Sequence, residues 1–371
     1  GSLNIEDIED IYPMSDIEKG MAFSSIMMKQ GIYHEQLLFQ RKFPDFSIKR
    51  FTNALELLVD KHEILRTEFN LGDYDTEVQI VHKKCPVIVY YQDISVVKAD
   101  RQQEIIKNYL ATELENPFDY KSILWRMGVF AKEKDNIVFV FQFHHSILDG
   151  WSVASFITEL NNLYLKLQEE PLFKPEKLKI NYKNFVIQQE IGKSDQFAHQ
   201  FWKNELLEYT RLDLFTDEQQ LESYKFSLGK DFLKKLKESR TLFKADIKVV
   251  SFSAYLYMLK ILSSSSEIVS GIVTHNRTEC EDGDKVLGCF LNTIPFKIDI
   301  ENDINCIDYI KKVNNKLVKL KEFESLNVLE ISRATNERPA NGNPFFDMFF
   351  NFIDFHIFNE LDGTEKEEYE N

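Results

Sequence analysis

The sequence predicts an α/β protein built from two lobes. Residues 139–152 (FVFQFHHSILDGWS) have the pattern of a buried strand, a tight turn and the start of a helix, and a strand that leads directly into a helix is typical of α/β folds. Strand-like alternation and helix-like spacing of apolar residues recur along the chain. The chain has 371 residues, whereas a single domain typically has about 150, so we expect two lobes rather than one.

The first half of the chain opens with a helix. Ser15 and Glu18 have the spacing of a capping box, and the apolar residues after them predict a helix that ends at Gly31. Ser47 begins an amphipathic helix that reaches His62. The other expected elements are strands at 34–43, a pair of strands at 77–82 and 85–92, strands that start at Leu124 and Asn136, and helices at 100–114 and 150–167.

The second half is expected to form a lobe of its own. Residues 169–182 carry Pro171 and Pro175 among charged residues, which is typical of a boundary between domains. We therefore expect an N-terminal lobe at 1–175 and a C-terminal lobe at 176–371. The helices of the second lobe are expected near 197–206, 231–239, 250–262 and 304–321, and its strands at 267–274, 291–298 and 345–355. The acidic residues at the end predict a surface tail.

Composition and charge argue against several classes of function. A net charge of −15 makes nucleic acid and anionic membranes poor partners, because phosphate binding needs clustered Lys and Arg. No apolar run approaches the roughly 18 residues that cross a bilayer, and no secretory signal is visible. Glycine-rich nucleotide-binding motifs and the GxSxG nucleophile motif are missing. The four cysteines form no CxxC pair, which favours a reduced, cytoplasmic protein.

Two adjacent histidines end the buried strand. Because successive side chains of a strand point to opposite faces, one of His144 and His145 can be structural while the other faces a cavity. Asp149 lies four residues after the second histidine, and Gly150 stands where the chain turns into the helix. Junctions of this kind commonly carry the sites of α/β proteins. Neighbouring strand residues cannot both aim at one ion and no third ligand is evident, so we expect no metal.

If His145 is the functional histidine, it is the candidate for proton transfer. An imidazole can accept a proton near neutral pH, so the simplest mechanism is one in which the histidine helps a bound amine or hydroxyl attack an acyl carbonyl. Asp149 either orients the imidazole or forms a structural ion pair. We favour the second role, because a carboxylate at a helix start is an ordinary N-cap and a buried carboxylate needs a cation. Arg66 is the best candidate for that cation.

Residues 144–150 (HHSILDG) match the HHxxxDG signature of the chloramphenicol acetyltransferase-like superfamily. With Trp151 and Ser152 after this signature, the chain resembles a condensation domain of nonribosomal peptide synthetases. Further motifs of that family follow in the expected order: the opening motif at 11–23, KHEILRTEF at 61–69 for RHExLRTxF, YKNF at 182–185 for YxDF, GCFLNT at 288–293 for GxFVNT, and NPFF at 343–346 for RNPLF. The chain departs from the family where Asn184 replaces an aspartate and where 322–331 replaces HQxxPFE.

The resemblance implies two chloramphenicol-acetyltransferase-like lobes, arranged as a V-shaped pseudo-dimer with a central tunnel and with His145 at the middle of that tunnel. In this family, donor and acceptor substrates arrive as thioesters on the phosphopantetheine arms of two peptidyl carrier domains, and no cofactor is bound directly. The acceptor amine attacks the donor thioester to form an amide. The expected partners are the two carrier domains and an adjacent adenylation domain, with the chain a monomer inside a larger multidomain protein.

The resemblance also assigns roles to individual residues. His145 is the expected catalytic residue. His144, Asp149, Gly150 and Arg66 are expected to support its loop, with Asp149 paired to Arg66. The candidates for lining the tunnel and contacting substrate are Trp151, Ser152, Asn292 and Thr293.

Other functions fit parts of the sequence. An epimerising relative is disfavoured because the helix starts with DGWSV, where epimerases usually resemble DGVSW, while an ester-forming relative of the same fold stays open. The departures at Asn184 and 322–331 leave room for a non-catalytic recruitment domain. The opening motif and Trp151 argue against a free-standing acyl-CoA transferase. Family members usually extend some tens of residues beyond the NPFF segment, so we expect a shortened or truncated member.

Overall fold

The computed structural model describes residues 5–28, 32–212, 214, 224–337 and 343–353. Within these ranges the chain forms two compact units of mixed α/β structure. The first unit takes in 5–187 and 277–290, and the second takes in 188–276 and 291–353. The segment 277–290 therefore belongs to the first unit although it comes from the second half of the sequence. The lobe boundary at 175/176 stays a prediction.

Strands and helices are interspersed along the chain. The first elements are β1 (Ile8–Pro13), α1 (Asp16–Met28), β2 (His34–Lys42), α2 (Ile48–Lys61), β3 (Thr67–Asn70), β4 (Val78–His82), β5 (Val89–Asp93), α3 (Ala99–Leu114), β6 (Trp125–Ala131), β7 (Asn136–His144), α4 (Gly150–Glu169) and α5 (Tyr182–Lys193). They are followed by α6 (Gln196–Glu205), α7 (Lys230–Phe243), α8 (Ile247–Ser263), β8 (Glu267–His275), β9 (Leu291–Asp299), α9 (Cys306–Lys321), α10 (Val328–Ala334) and β10 (Phe349–Phe350).

Strand β7, which ends at His144, is an inner strand of a four-stranded sheet. This sheet has the order β2-β7-β6-β5, with β7 antiparallel to both of its neighbours. Phe139, Phe141 and Phe143 pack into the main core of the first unit, whereas Val138 and Val140 pack into a smaller cluster with α3. The predicted alternation is confirmed, and both faces of β7 are buried.

Side-chain caps set the starts of α1 and α2. The predicted capping box of α1 is confirmed, because the backbone N–H of Ser15 donates to Glu18 Oε2 at 2.7 Å and the backbone N–H of Glu18 lies 3.3 Å from Ser15 Oγ. Helix α2 begins after Ser47, whose hydroxyl accepts a backbone N–H, and ends at Lys61 with His62 as its C-cap, which confirms the predicted helix. The predicted end of α1 at Gly31 lies outside the described residues.

The pairing predicted for 77–82 and 85–92 is wrong. Strand β4 lies between β1 and β3 in a three-stranded sheet, whereas β5 lies beside β6 in the four-stranded sheet. Alternation of apolar and polar residues indicates that a stretch is a strand but does not choose its neighbour. The sequence patterns also do not predict β1, α5 or α10.

The second unit is built on a sheet of order β10-β8-β9. Strands β8 and β9 are antiparallel, and the short β10 is parallel to β8. The strand predicted at 345–355 is much shorter in the structure and spans only Phe349–Phe350. Phe345 and Phe346, ahead of it, are buried core residues. Residues 354 and 355 and the predicted acidic tail lie outside the described residues. In the described part of the chain, no helix has the length and apolar character that a membrane span requires.

Candidate active site

The histidine pair lies where β7 ends and a tight turn leads to α4. His144 is the last residue of β7, and its carbonyl accepts the backbone N–H of Ile147 at 3.1 Å. The backbone N–H of His145 donates to the carbonyl of Tyr33 at 2.7 Å. The His144 side chain is buried, whereas that of His145 is half-buried. The end of the strand therefore gives the two imidazoles different surroundings.

Both ring nitrogens of His144 are hydrogen-bonded. Nδ1 accepts the backbone N–H of Ser146 at 3.3 Å and lies 2.6 Å from Ser146 Oγ. Nε2 lies 3.0 Å from Ser25 Oγ and 3.2 Å from Tyr120 Oη. Because Nδ1 accepts from an N–H, we assign the ring proton to Nε2. Burial, followed by the neighbouring histidines, lowers the pKa of His144 to about 4, so the ring is neutral at physiological pH.

The imidazole of His145 is held in another way. Its ring meets the rings of Tyr33 and Phe143 edge-on, with centroids 6.4 and 6.5 Å away. Its Nδ1 is buried and has no hydrogen-bond partner among the described residues. No carboxylate in the described part of the chain therefore orients this ring through Nδ1, and its tautomer is not fixed by a protein group there.

Asp149 is fully buried and caps α4. Its Oδ1 accepts the backbone N–H of Ser152 at 2.8 Å and an Arg277 guanidinium N–H at 2.9 Å. Its Oδ2 accepts the backbone N–H of Phe290 at 3.2 Å, and its own N–H donates to the carbonyl of Gly288 at 3.0 Å. These contacts are those of a structural carboxylate, and they attach the turn after β7 to a segment from the second half of the sequence.

The predicted pair of Asp149 and Arg66 is wrong. The Arg66 guanidinium instead contacts the Glu9 carboxylate and donates to the carbonyl of His82 at 2.5 Å. Arg66 lies at the entry to β3, whose sheet also contains β1 and β4, so its long side chain meets groups at the ends of those strands. Arg66 therefore stabilises this sheet and not the histidine turn.

Arg277 is the residue that motif analysis misses. Besides Asp149, its guanidinium donates to Ser152 Oγ and to the carbonyl of Val286, each at 2.7 Å. The guanidinium carbon also lies 4.2 Å from the ring centre of Phe290, a cation–π arrangement. The need for a buried cation beside Asp149 follows from the sequence, but the choice of Arg277 depends on the fold. The only sequence signal is an arginine two residues after a buried strand, which is too common to identify it.

The first residues of α4 contact the same segment. Ser152 Oγ donates to the carbonyl of Gly288 at 2.7 Å and accepts its N–H at 3.0 Å. Trp151 Nε1 donates to the carbonyl of Asp284 at 3.1 Å, and Gly150 is the first residue of the helix. These hydrogen bonds of Ser152 and Trp151 are with the backbone. Contact of either residue with substrate stays a prediction.

Tyr182 requires a glycine at position 288. A Cβ added to Gly288 would lie 2.2 Å from Tyr182 Cδ2. The Tyr182 hydroxyl donates to the carbonyl of Cys289 at 2.7 Å and lies 2.9 Å from Ser15 Oγ. Burial raises the pKa of Tyr182 well above its ordinary value. Tyr182 thus joins the start of α1 to the segment that holds Asp149.

Asn292 and Thr293 lie on β9, in the second unit. The Asn292 amide donates to the carbonyls of Glu324 and Leu326 at 2.7 and 3.0 Å, so it ties β9 to the loop before α10. Thr293 lies opposite Val273 of β8. The role of both residues in lining a tunnel stays a prediction.

Comparison with known families identifies the chain. The sequence model of the condensation-domain family matches residues 8–370 of this chain. This chain belongs to the condensation-domain family. The resemblance that the motifs indicate is confirmed, and condensation domains are in general acyltransferases.

The curated relatives of this condensation domain are large synthases. Gramicidin S synthase 2 of Brevibacillus brevis is 25% identical over 341 residues, which are 89% of this chain and 8% of that protein. Tyrocidine synthase 2 of Brevibacillus parabrevis is 23% identical over 335 residues, which are 88% of this chain and 9% of that protein. The domain thus spans only a small part of the length of these relatives.

Solved structures of condensation domains share the fold. The first condensation domain of the calcium-dependent antibiotic synthetase, in complex with a substrate analogue, has a TM-score of 0.75 at 13% identity. The match covers 94% of this chain and 84% of the antibiotic synthetase domain's chain. A four-domain nonribosomal peptide synthetase bound to AMP and glycine has a TM-score of 0.72 at 18% identity. This match covers 94% of this chain and 27% of the four-domain chain. The α/β fold class predicted from the sequence is therefore confirmed.

Proposed function

We propose that this condensation domain catalyses amide formation between two thioesters carried by separate peptidyl carrier domains. The amine of the acceptor aminoacyl group forms a bond to the carbonyl carbon of the donor acyl group. The carbon–sulfur bond of the donor thioester breaks, and the proton lost by the amine ends on the departing thiol. The product stays on the acceptor arm, so one new amide and one free phosphopantetheine thiol result.

The single observation that carries this proposal is the difference between the two histidines. His144 uses both ring nitrogens within the protein and is neutral at physiological pH because its pKa is about 4. His145 is half-buried, and its ring makes no described hydrogen bond to a carboxylate or hydroxyl. One imidazole is therefore committed to the structure, while the other keeps its hydrogen-bonding capacity for a ligand.

In this proposal, His145 orients the acceptor amine by a hydrogen bond and receives its proton during the attack. A carboxylate would make an imidazole a stronger base, but the Asp149 carboxylate is already engaged by Arg277, Ser152 and a backbone N–H. We therefore expect His145 to contribute more to the rate by orienting the amine than by accepting its proton. Thiols are good leaving groups, so holding an amine against a thioester carbonyl supplies much of what the reaction needs.

The proposed partners of this domain are the domains that would carry and load its substrates. Donor and acceptor would arrive on phosphopantetheine arms of two peptidyl carrier domains, and an adenylation domain beside this one would load the acceptor. The relatives support such an arrangement because they are multidomain synthases of which this chain matches a small share. No directly bound cofactor is part of the proposed reaction.

The test uses two carrier domains loaded through phosphopantetheine, one with an acyl-aminoacyl group and the other with an aminoacyl group. Intact-protein mass spectrometry after mixing with the chain follows both carriers. The expected result is a gain of the donor acyl mass on the acceptor carrier and a matching loss from the donor, absent without the chain. Carrier domains that bind without acyl transfer, over a panel of aminoacyl groups, would overturn the proposal in favour of a recruitment domain.

A further inference from the structure

We propose that Ser25 and Tyr120 are positioning residues for His145 that act through His144. Ser25 lies on α1, and Tyr120 lies in the loop between α3 and β6. Both hydroxyls lie within hydrogen-bond distance of His144 Nε2. The effect on catalysis rests on the proposed function above, whereas the effect on the imidazoles does not.

The two hydroxyls accept a hydrogen bond from His144 rather than donate one to it. Ser25 Oγ donates to the carbonyl of Ile32 at 2.7 Å, and Tyr120 Oη donates to the carbonyl of Ala22 at 3.3 Å. Each hydroxyl has only one proton, so its oxygen faces His144 with lone pairs. This side of the ring therefore favours a proton on Nε2.

The other side of the His144 ring favours the same tautomer. The backbone N–H of Ser146 points at Nδ1, and the Ser146 hydroxyl lies 2.6 Å away. A proton on Nδ1 would face that N–H donor. Acceptors at one nitrogen and donors at the other fix both the tautomer and the orientation of the buried ring.

Tyr33 connects the His144 ring to that of His145. Its ring centre lies 6.2 Å from that of His144 and 6.4 Å from that of His145, and its carbonyl accepts the His145 backbone N–H. Its φ of 67° is in the left-handed region, which is uncommon for a residue other than glycine and is maintained only where surrounding contacts require it. A His144 ring that turns in its pocket would disturb this packing and with it the direction of His145.

The experiment compares the full chain with Ser25→Ala, Tyr120→Phe and the double variant. Ser25→Thr keeps a hydroxyl. Matched controls are Ser24→Ala, on the same helix, and Tyr90→Phe, whose hydroxyl faces Gln92. Histidine-selective ¹⁵N spectra report the tautomer of His144, and nuclear Overhauser effects between the His145 and Tyr33 rings report orientation. Single-substrate titrations of the carrier-domain assay give kcat and KM.

The double variant keeps the Ser146 donor at Nδ1 but loses both partners of Nε2. It should show a changed ¹⁵N signal of His144 Nε2, a weaker His145 to Tyr33 contact, and a kcat lower by about 10- to 100-fold with KM within about twofold, as expected for misplaced reacting groups. Ser25→Thr and the controls should resemble the wild type. An unchanged Nε2 signal and ring contact in the double variant would overturn the inference, as would an unchanged kcat. If the wild-type chain transfers no acyl group, the proposed function fails, and the spectra alone still decide whether the two hydroxyls hold the histidines.

Discussion

Asp149 Oδ1 and Arg277 Nη2 lie 2.9 Å apart although 128 residues separate them in the sequence. The Asp149 side chain is fully buried and that of Arg277 is 15% exposed. The pair joins the start of α4 to the segment 277–290. The turn that carries His145 is therefore held by a residue from the other half of the chain, and its geometry depends on that long-range contact.

Replacing Arg277 with Met should lower the free energy of unfolding by about 3–5 kcal/mol, because the Asp149 carboxylate would remain buried without its cation. Urea denaturation followed by fluorescence measures this change. The matched control is Lys179→Met, which breaks an exposed ion pair with Glu281 in the same segment and should move the urea midpoint little. Equal midpoints for the two variants would contradict the structural role of Arg277.

Gly288→Ala should lower the free energy of unfolding by about 1–3 kcal/mol, the usual cost of overpacking a core. The added methyl group would lie 2.2 Å from the buried Tyr182 ring, so one of them must move. Gly20→Ala is the control, since no atom lies within 4 Å of its added methyl group and it is inside α1. That change should stabilise the helix by roughly 0.5–1 kcal/mol. A tolerated Gly288→Ala would mean that the 288–290 segment is not packed against Tyr182.

Glu18 should make the folded protein less stable as the pH rises. Burial raises the pKa of its carboxyl group from 4.5 to about 8. Between these values the folded protein keeps a proton that the unfolded chain loses, so the stabilising contribution is complete below pH 4.5 and declines as the pH rises to about 8. Relative to Glu18→Gln, the wild type should lose up to about 1.4 kcal/mol per pH unit over this window. Urea midpoints of both proteins from about pH 5 to about pH 8.5 measure the difference, and parallel curves would refute the shift.

His144, in contrast, should make the folded protein less stable as the pH falls. Its pKa is lowered from 6.5 to about 4, mainly by burial. Between these values the unfolded chain binds a proton that the folded protein does not, so wild-type stability should decline as the pH falls from 6.5 towards 4. The advantage of the wild type over His144→Gln should therefore shrink across this range. If the advantage instead grew with acidity, His144 would be charged in the folded protein.

Local chemistry explains which features the sequence predicts. The alternation of side chains along a strand predicts different surroundings for His144 and His145 without any knowledge of the sheet. The capping box of Ser15 and Glu18 likewise depends on residues three apart, and it appears as expected. The same reasoning indicates that Asp149 caps a helix and needs a cation.

Long-range partners are where sequence reasoning fails. Motif order suggests Arg66 for Asp149, but Arg66 leads into β3 and contacts Glu9 on β1 of the same sheet. The partner is Arg277, which only the fold brings to α4. The pairing of 77–82 with 85–92 fails for the same reason, because the period of a strand contains no information about which strand lies beside it. Ser25 and Tyr120 belong to no recognised motif and become visible only through their contacts with His144.

The central claim is that His145 acts on the substrates while His144 supports the turn. Its most direct test is the single-turnover rate of acyl transfer by His145→Ala between loaded carrier domains, with the urea midpoint measured on the same samples. The rate should fall by about 100-fold or more, with a midpoint close to that of the wild type. A rate within twofold of the wild type, from a folded variant, would contradict the claim.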